Sequence, residues 1–218
     1  DLEAEKPLEQ ELANVLELTE VYFIHGNHDS EKKINHDNLF NSALADRNLH
    51  GHITEIDGHR VAGLGGIFRP EIWWPVPADA DPVHASYEKF ENHIKSKVAY
   101  HQMLQEVADN QLMQHKGSIF HNDYEYLFCQ EADILVAHEA PTCHPYGHNA
   151  VDNLAQAMKV KQSFHGHHHD RLDYRSHDKK FGFSAYGVGL QGVSDIDGNM
   201  IKEGALDTHK GKLNRSKS

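Results

Sequence analysis

An α/β architecture is predicted for this 218-residue chain by three observations. Helical stretches alternate with short β-rich runs along the sequence, the pattern of mixed layers and not of a bundle or an all-β sandwich. Three apolar runs pass straight into polar, histidine-bearing loops: "EVYFI" into "HGNHD", "ADILV" into "AHEAP", and "KQSF" into "HGHHHD". Open α/β sheets place their sites at the carboxyl ends of strands, so three such ends can converge on one point. The composition, 39% hydrophobic and 25% charged, provides a core and a solvated surface.

Each element follows from its local pattern. In "PLEQELANVLEL" (residues 7–18) Leu8, Leu12, Val15 and Leu16 recur at helical spacing, and Pro7 suits a first turn. "EVYFI" (20–24) reads as a short buried strand. "HITEID" and "HRVAGLGG" flank Asp57-Gly58, a strong hairpin signal. The "GLGG" that ends the second strand lacks the spacing and following helix of a dinucleotide fingerprint. A loop rich in Pro and Trp covers residues 69–82. A helical stretch follows over about 86–114, where Tyr87, Phe90, Ile94, Val98, Leu104 and Val107 roughly keep the helical period. "YEYLFCQ" predicts a further helix, residues 132–141 a strand and loop, "AVDNLAQAM" a helix, and "KQSFHGHHHD" a strand and loop. The remainder is Gly-punctuated β with a turn at Asp197-Gly198. One domain is expected over 1–203, with a helical insertion at about 69–131. Residues 204–218 are expected to form a polar tail.

The formal net charge of −12 argues against a general basic nucleic-acid surface, and long nucleic acid is disfavoured as a partner. No apolar run approaches transmembrane length, so no membrane partner is expected. Cys129 and Cys143 have no CxxC spacing and read as reduced thiols of a cytoplasmic protein. The 20 histidines point to metal binding and acid–base chemistry.

In an extended segment alternate side chains share a face, so His167 and His169 are expected to point together and His168 elsewhere. His138 leaves a second strand end. Asn27 leaves a third and offers a carbonyl oxygen. Imidazoles with oxygen donors suit Mn, Fe, Zn or Ni better than Mg or Ca. Singly, each has an ordinary explanation: a solvated turn for the histidine run, a turn or helix-capping role for Asn27, a hydrogen-bonded His138.

Together and in order, "GNHD" (Gly26 to Asp29), His138 after a strand, and "GHHH" (Gly166 to His169) resemble the calcineurin-like metallophosphoesterases. Their pattern runs DxH, GD, GNH[DE], a lone His, then GHxH, and the resemblance extends from the chain start to about Gly192. It implies a four-layer α-β-β-α sandwich of two mixed sheets with two divalent metal ions (Mn, Fe, Zn or Ni) at the sheet ends. It implies hydrolysis of a phosphomonoester or phosphodiester by a bridging hydroxide, the substrate being a phosphorylated small molecule, a nucleotide or a phosphoprotein. By the same resemblance Asn27, His138 and His167 bind the second metal and His169 the first. His28 serves as general acid, or at least as hydrogen-bond donor to the leaving oxygen, and Asp29 orients His28. Arg69 is a candidate for the substrate phosphate. Trp73 and Trp74 either line the cleft beside it or pack as a lid on the core, the favoured reading.

No DxH precedes GNHD. Asp1 stands 26 positions before Asn27, about the GD-to-GNH distance, and is expected to be the bridging carboxylate. The chain is then expected to be N-terminally truncated, lacking its first strand and two ligands of the first metal, and itself weakly active or inactive. A different class of function, a catalytically inactive scaffold for protein binding, is opposed by the intact His28–Asp29 pair.

Overall fold

A computed structural model describes residues 1–77 and 80–207. Its centre is a five-stranded sheet in the order β1 (Ile53–Ile56), β2 (His59–Leu64), β3 (Ile134–Ala137), β4 (Gln162–His165), β5 (Ser184–Gly187). β1 and β2 form an antiparallel hairpin, and β2 through β5 pair in parallel. The hairpin closes at Asp57 (φ 48°) and Gly58 (φ 78°), two successive left-handed residues as a type I′ turn requires. A second, two-stranded antiparallel sheet joins β6 (Val193–Ser194) and β7 (Met200–Lys202) across the predicted Asp197-Gly198 turn.

Period-two alternation sorts the main sheet into two faces. Ala62, Leu64, Leu135, Ala137 and Ala185 share one face and are buried. Against them pack α4 (Tyr87–Ala99) through Phe90 and Ile94, α6 (His121–Phe128) through Leu127, and α7 (Asn149–Ala157) through Val151 and Leu154. Fully burying each such aliphatic or aromatic side chain is worth roughly 1.5–3 kcal/mol, so this layer is the main source of stability. The opposite face carries a smaller cluster, Leu49, Val61 and Ile134, with Ile24, Val136 and Phe164 partly covered. Among the described residues no helix is long and apolar enough to cross a membrane.

Several predicted elements take a different form. Residues 20–24 do not make a strand; Phe23 alone bridges to Asn48. The neighbouring segment is a 3-10 turn (Ala45–Arg47) just before Asn48 and bridges to β2 at His50–Gly63 just after it. The first helix breaks at Leu12 (ψ 10°) into α1 (Leu8–Glu11) and α2 (Ala13–Leu16). The stretch at 86–114 is two helices: α4, capped by Ser86 Oγ accepting from the Lys89 amide, and α5 (Gln105–Gln114). The left-handed His101 (φ 54°) separates them. α3 (Lys33–Phe40) and the one-turn α8 (Asp178–Phe181) were not foreseen. The start of the predicted tail is docked, since the Ala205 amide donates to the Leu190 carbonyl and Asp207 accepts from the Gly204 amide. Residues 208–218 of that tail lie outside the described residues. Trp73 packs in the core as the lid reading expected, and Trp74 stays 42% exposed.

His115, between α5 and α6, is buried against Phe90 at 4.6 Å between ring centroids, with Nδ1 3.0 Å from Ser118 Oγ. Burial, aided by the charge of Arg69, pushes its imidazole down to about 4. The neutral ring is therefore favoured in the folded state, while the unfolded chain takes up a proton near 6.5. The stability this represents is present above pH 6.5 and is lost as pH falls from 6.5 towards 4. His115→Asn should flatten that loss by up to one proton, about 1.4 kcal/mol per pH unit. Urea unfolding at pH 7, 6 and 5 measures it; an unchanged slope would mean His115 does not contribute.

Candidate metal centre

β3 and β4 run side by side and end level, Ala137 opposite His165. The residues that follow emerge together. The His138 and His167 rings lie 4.9 Å apart. The loop 25–29 docks beside them, its His25 carbonyl accepting from the Gly66 amide just beyond β2. His138 Nε2 sits 3.2 Å from Asn27 Oδ1 and 3.6 Å from Asp1 Oδ2. The Asp1 side chain is only 5% exposed although the residue as a whole is open. Donor atoms of Asp1, His138 and His167 all fall within 4.8 Å of one another, which defines a possible metal-binding group. Asp1, His138, His167 and His169 line one pocket of about 250 Å³.

The electrostatics fit a cation. Burial, with the facing His167, holds the His138 imidazole far below its ordinary range. Burial and the nearby His169 bring His167 down to about 4. Both rings are thus neutral at pH 7 and present lone pairs, the form in which imidazole binds metal. Neutral imidazoles, a carboxylate and an amide oxygen converge here, a mixed nitrogen and oxygen set suited to a first-row divalent ion.

Of the residues predicted from sequence, Asp1, Asn27, His138 and His167 are brought together, His169 lines the same pocket outside that donor group, and His168 is turned away. His168 stacks on His144 at 3.8 Å and 8°. The reason differs from the one expected. The segment is not extended: His167 (φ 62°) and His169 (φ 59°) are both left-handed, and the His168 amide donates to the Gly166 carbonyl at 2.7 Å. A tight turn, not strand alternation, brings His167 to the donor group and His169 to the pocket wall.

His28 stands on the rim, close enough to His167 to act on its charge. Its orienting partner is not Asp29. His28 Nδ1 lies 2.9 Å from Glu31 Oε2, while the Asp29 carboxylate is fully buried and spent on backbone amides. One residue of separation on a one-turn 3-10 segment (His28–Ser30) sends the two side chains apart, whereas a spacing of three brings Glu31 under the ring. That spacing is readable in "HDSE". Arg69 is half-buried within electrostatic reach of Glu31, Glu71 and Glu139. Its Nε and Nη2 are buried and lack acceptors among the described residues. Two further groups were missed. Glu139, beside His138, is buried, accepts from the Phe68 amide at 3.2 Å, and is pushed up by burial to about 7. His148 lies 3.8 Å from that carboxylate and meets Trp74 edge-on.

Gly26 is required by the approach of these groups. A Cβ there would overlap Asp1 Oδ1 and come within 2.5 Å of His138 Cε1. Gly26→Ala should therefore weaken Mn²⁺ binding about 10–100-fold, the range for disturbed support of metal ligands. Calorimetric titration of the variant against the parent chain checks it, and equal affinities would show that the three donors do not act together.

No family model matches the chain, and no solved structure matches it. Among curated proteins it is 37% identical over 203 residues to a Haemophilus influenzae protein described as uncharacterized, the match spanning 92% of this chain and 83% of that one. Identity of that level over that length establishes common descent, and the chain belongs to the family of this Haemophilus influenzae protein.

Proposed function

We propose that the protein is a metallophosphoesterase of the calcineurin-like kind, hydrolysing a phosphomonoester or phosphodiester of a small molecule, nucleotide or phosphoprotein. The observation that carries this reading is the convergence of Asp1, Asn27, His138 and His167 at the ends of two parallel strands, with an imidazole, His28, on the rim. The reading makes the five-stranded sheet part of a four-layer α-β-β-α sandwich, supported by the helical layer on one face and the second small sheet. It also places the enzyme in the cytoplasm, supported by the two free thiols, Cys129 and Cys143.

Asp1, Asn27, His138 and His167 would hold one divalent ion, and His169 with the shared Asp1 carboxylate would contribute to a second, Mn, Fe, Zn or Ni being the candidates. When bound, such ions lower the pKa of water and offset charge on the phosphoryl oxygens. The chain's own residues do the rest. Glu31 engages His28 Nδ1 and so leaves Nε2 as the nitrogen that donates a proton to the departing oxygen. Arg69, whose Nε and Nη2 have no acceptor among the described residues, is suited to phosphoryl oxygens. Tyr124 and Trp73, packed together at 5.0 Å, hold the loop that carries Arg69 against the core.

Hydrolysis of p-nitrophenyl phosphate and bis-p-nitrophenyl phosphate with Mn²⁺ tests the reading. Metal bound with neither ester cleaved by the full-length protein would favour the scaffold. In the active protein His28→Ala should leave metal stoichiometry intact and lower turnover about 10²–10⁴-fold. The loss should be smallest for p-nitrophenyl esters, whose leaving group needs little protonation. Equal loss for alkyl and aryl esters would mean His28 is structural.

A further inference from the structure

We infer that Asp29 is a positioning residue of the metal centre, which clamps residues 1–3 against the loop 26–29 and so sets the Asp1 carboxylate in front of His138 and His167. The inference rests on the metal-centre reading above.

Asp29 is fully buried. Its Oδ1 accepts from the Leu2 amide at 2.7 Å and from the Glu3 amide at 2.6 Å. Its Oδ2 accepts from the Gly26 amide at 2.8 Å. One carboxylate thus ties the loop at Gly26 to two amides that lie 27 and 26 residues before Asp29. The fastening has a direction. Glu3 is left-handed (φ 45°), a conformation an L-residue adopts only when its surroundings hold it. The sharp turn at Glu3 and the two amides gripped by Oδ1 point the preceding residue back over the loop. There Asp1 Oδ1 accepts from the His28 amide at 2.9 Å, and Asp1 Oδ2 faces His138 Nε2 at 3.6 Å. Asp29 reaches neither the pocket nor the His28 ring, so it acts through Asp1. Hydrogen bonds from backbone amides to an ionised carboxylate are the strong kind, and without a side chain at Gly26 the clamp can close fully.

Two variants of the full chain test this. Asp29→Asn keeps the volume, but its amide can satisfy either Gly26 or the Leu2–Glu3 pair and not both, because its NH₂ would face an N–H donor. Leu2→Pro removes the Leu2 donor at an exposed position and leaves Asp29 untouched, so it carries the test should Asp29→Asn fail to fold. Mn²⁺ affinity by calorimetry should fall about 10–100-fold in both. Glu31→Gln, which touches the His28 ring instead of the clamp, should keep the parent Mn²⁺ affinity. Parent-like Mn²⁺ affinity in the folded Asp29→Asn and Leu2→Pro variants would sink the inference alone, as would an equal loss in Glu31→Gln. A parent chain that binds no Mn²⁺ would sink the metal-centre reading and this inference with it.

Discussion

The parallel pairing of β3 with β4 is the constraint on which the site depends. Side chains alternate across a strand, so a slip of one residue would send His138 to the opposite face of the sheet. The register that sets Ala137 opposite His165 prevents this, and on the other side the His138 amide extends the ladder to β2 by donating to the Leu64 carbonyl at 2.9 Å. The apolar side chains of α4, α6 and α7 press on one face only, and that asymmetry makes the register costly to break. Packing on one side of the sheet therefore fixes chemistry at its end.

The histidine excess has two uses. Burial, reinforced by the neighbouring rings, lowers the proton affinity of His138, His165, His167 and His168, so the interior converts a potentially cationic cluster into neutral rings. In the pocket these rings supply lone pairs. Around it they supply scaffold: His165 Nε2 sits 3.1 Å from Tyr174 OH, His144 stacks on His168, and His50 Nδ1 accepts from the Gly65 amide at 3.0 Å. Supporting rings of this kind lock the first layer of donors in place without touching what the donors hold.

The hairpin at Asp57-Gly58, the strands before His138 and Gly166, and the helix at Asn149–Ala157 were legible because period and turn chemistry agree there. The gathering of His138 and His167 was legible because motif order along the chain maps onto the ends of β3 and β4, and Asn27 and Asp1 join them from segments without strand structure. What was not legible depended on tertiary context. Residues 20–24 have strand composition but lie beside an irregular segment. His167 and His169 converge through left-handed backbone that no propensity announces. Asp29 follows His28 directly, which suggested a dyad, yet adjacent residues on a tight turn diverge. The ring's neighbour is set by spacing, and the carboxylate's by the loose segment it captures.

The left-handed backbone at His167 and His169 bears on how this loop can change. Non-glycine residues in that region cost of order 1–3 kcal/mol each, a cost glycine at either position would remove. Glycine there would also delete an imidazole from the pocket. Selection for a sturdier fold and selection for the donors thus pull these two positions in opposite directions. A lineage that no longer needed the donors would be expected to lose His167 and His169 first, drifting to Gly or Asn, while the buried His138 at the strand end persisted longer.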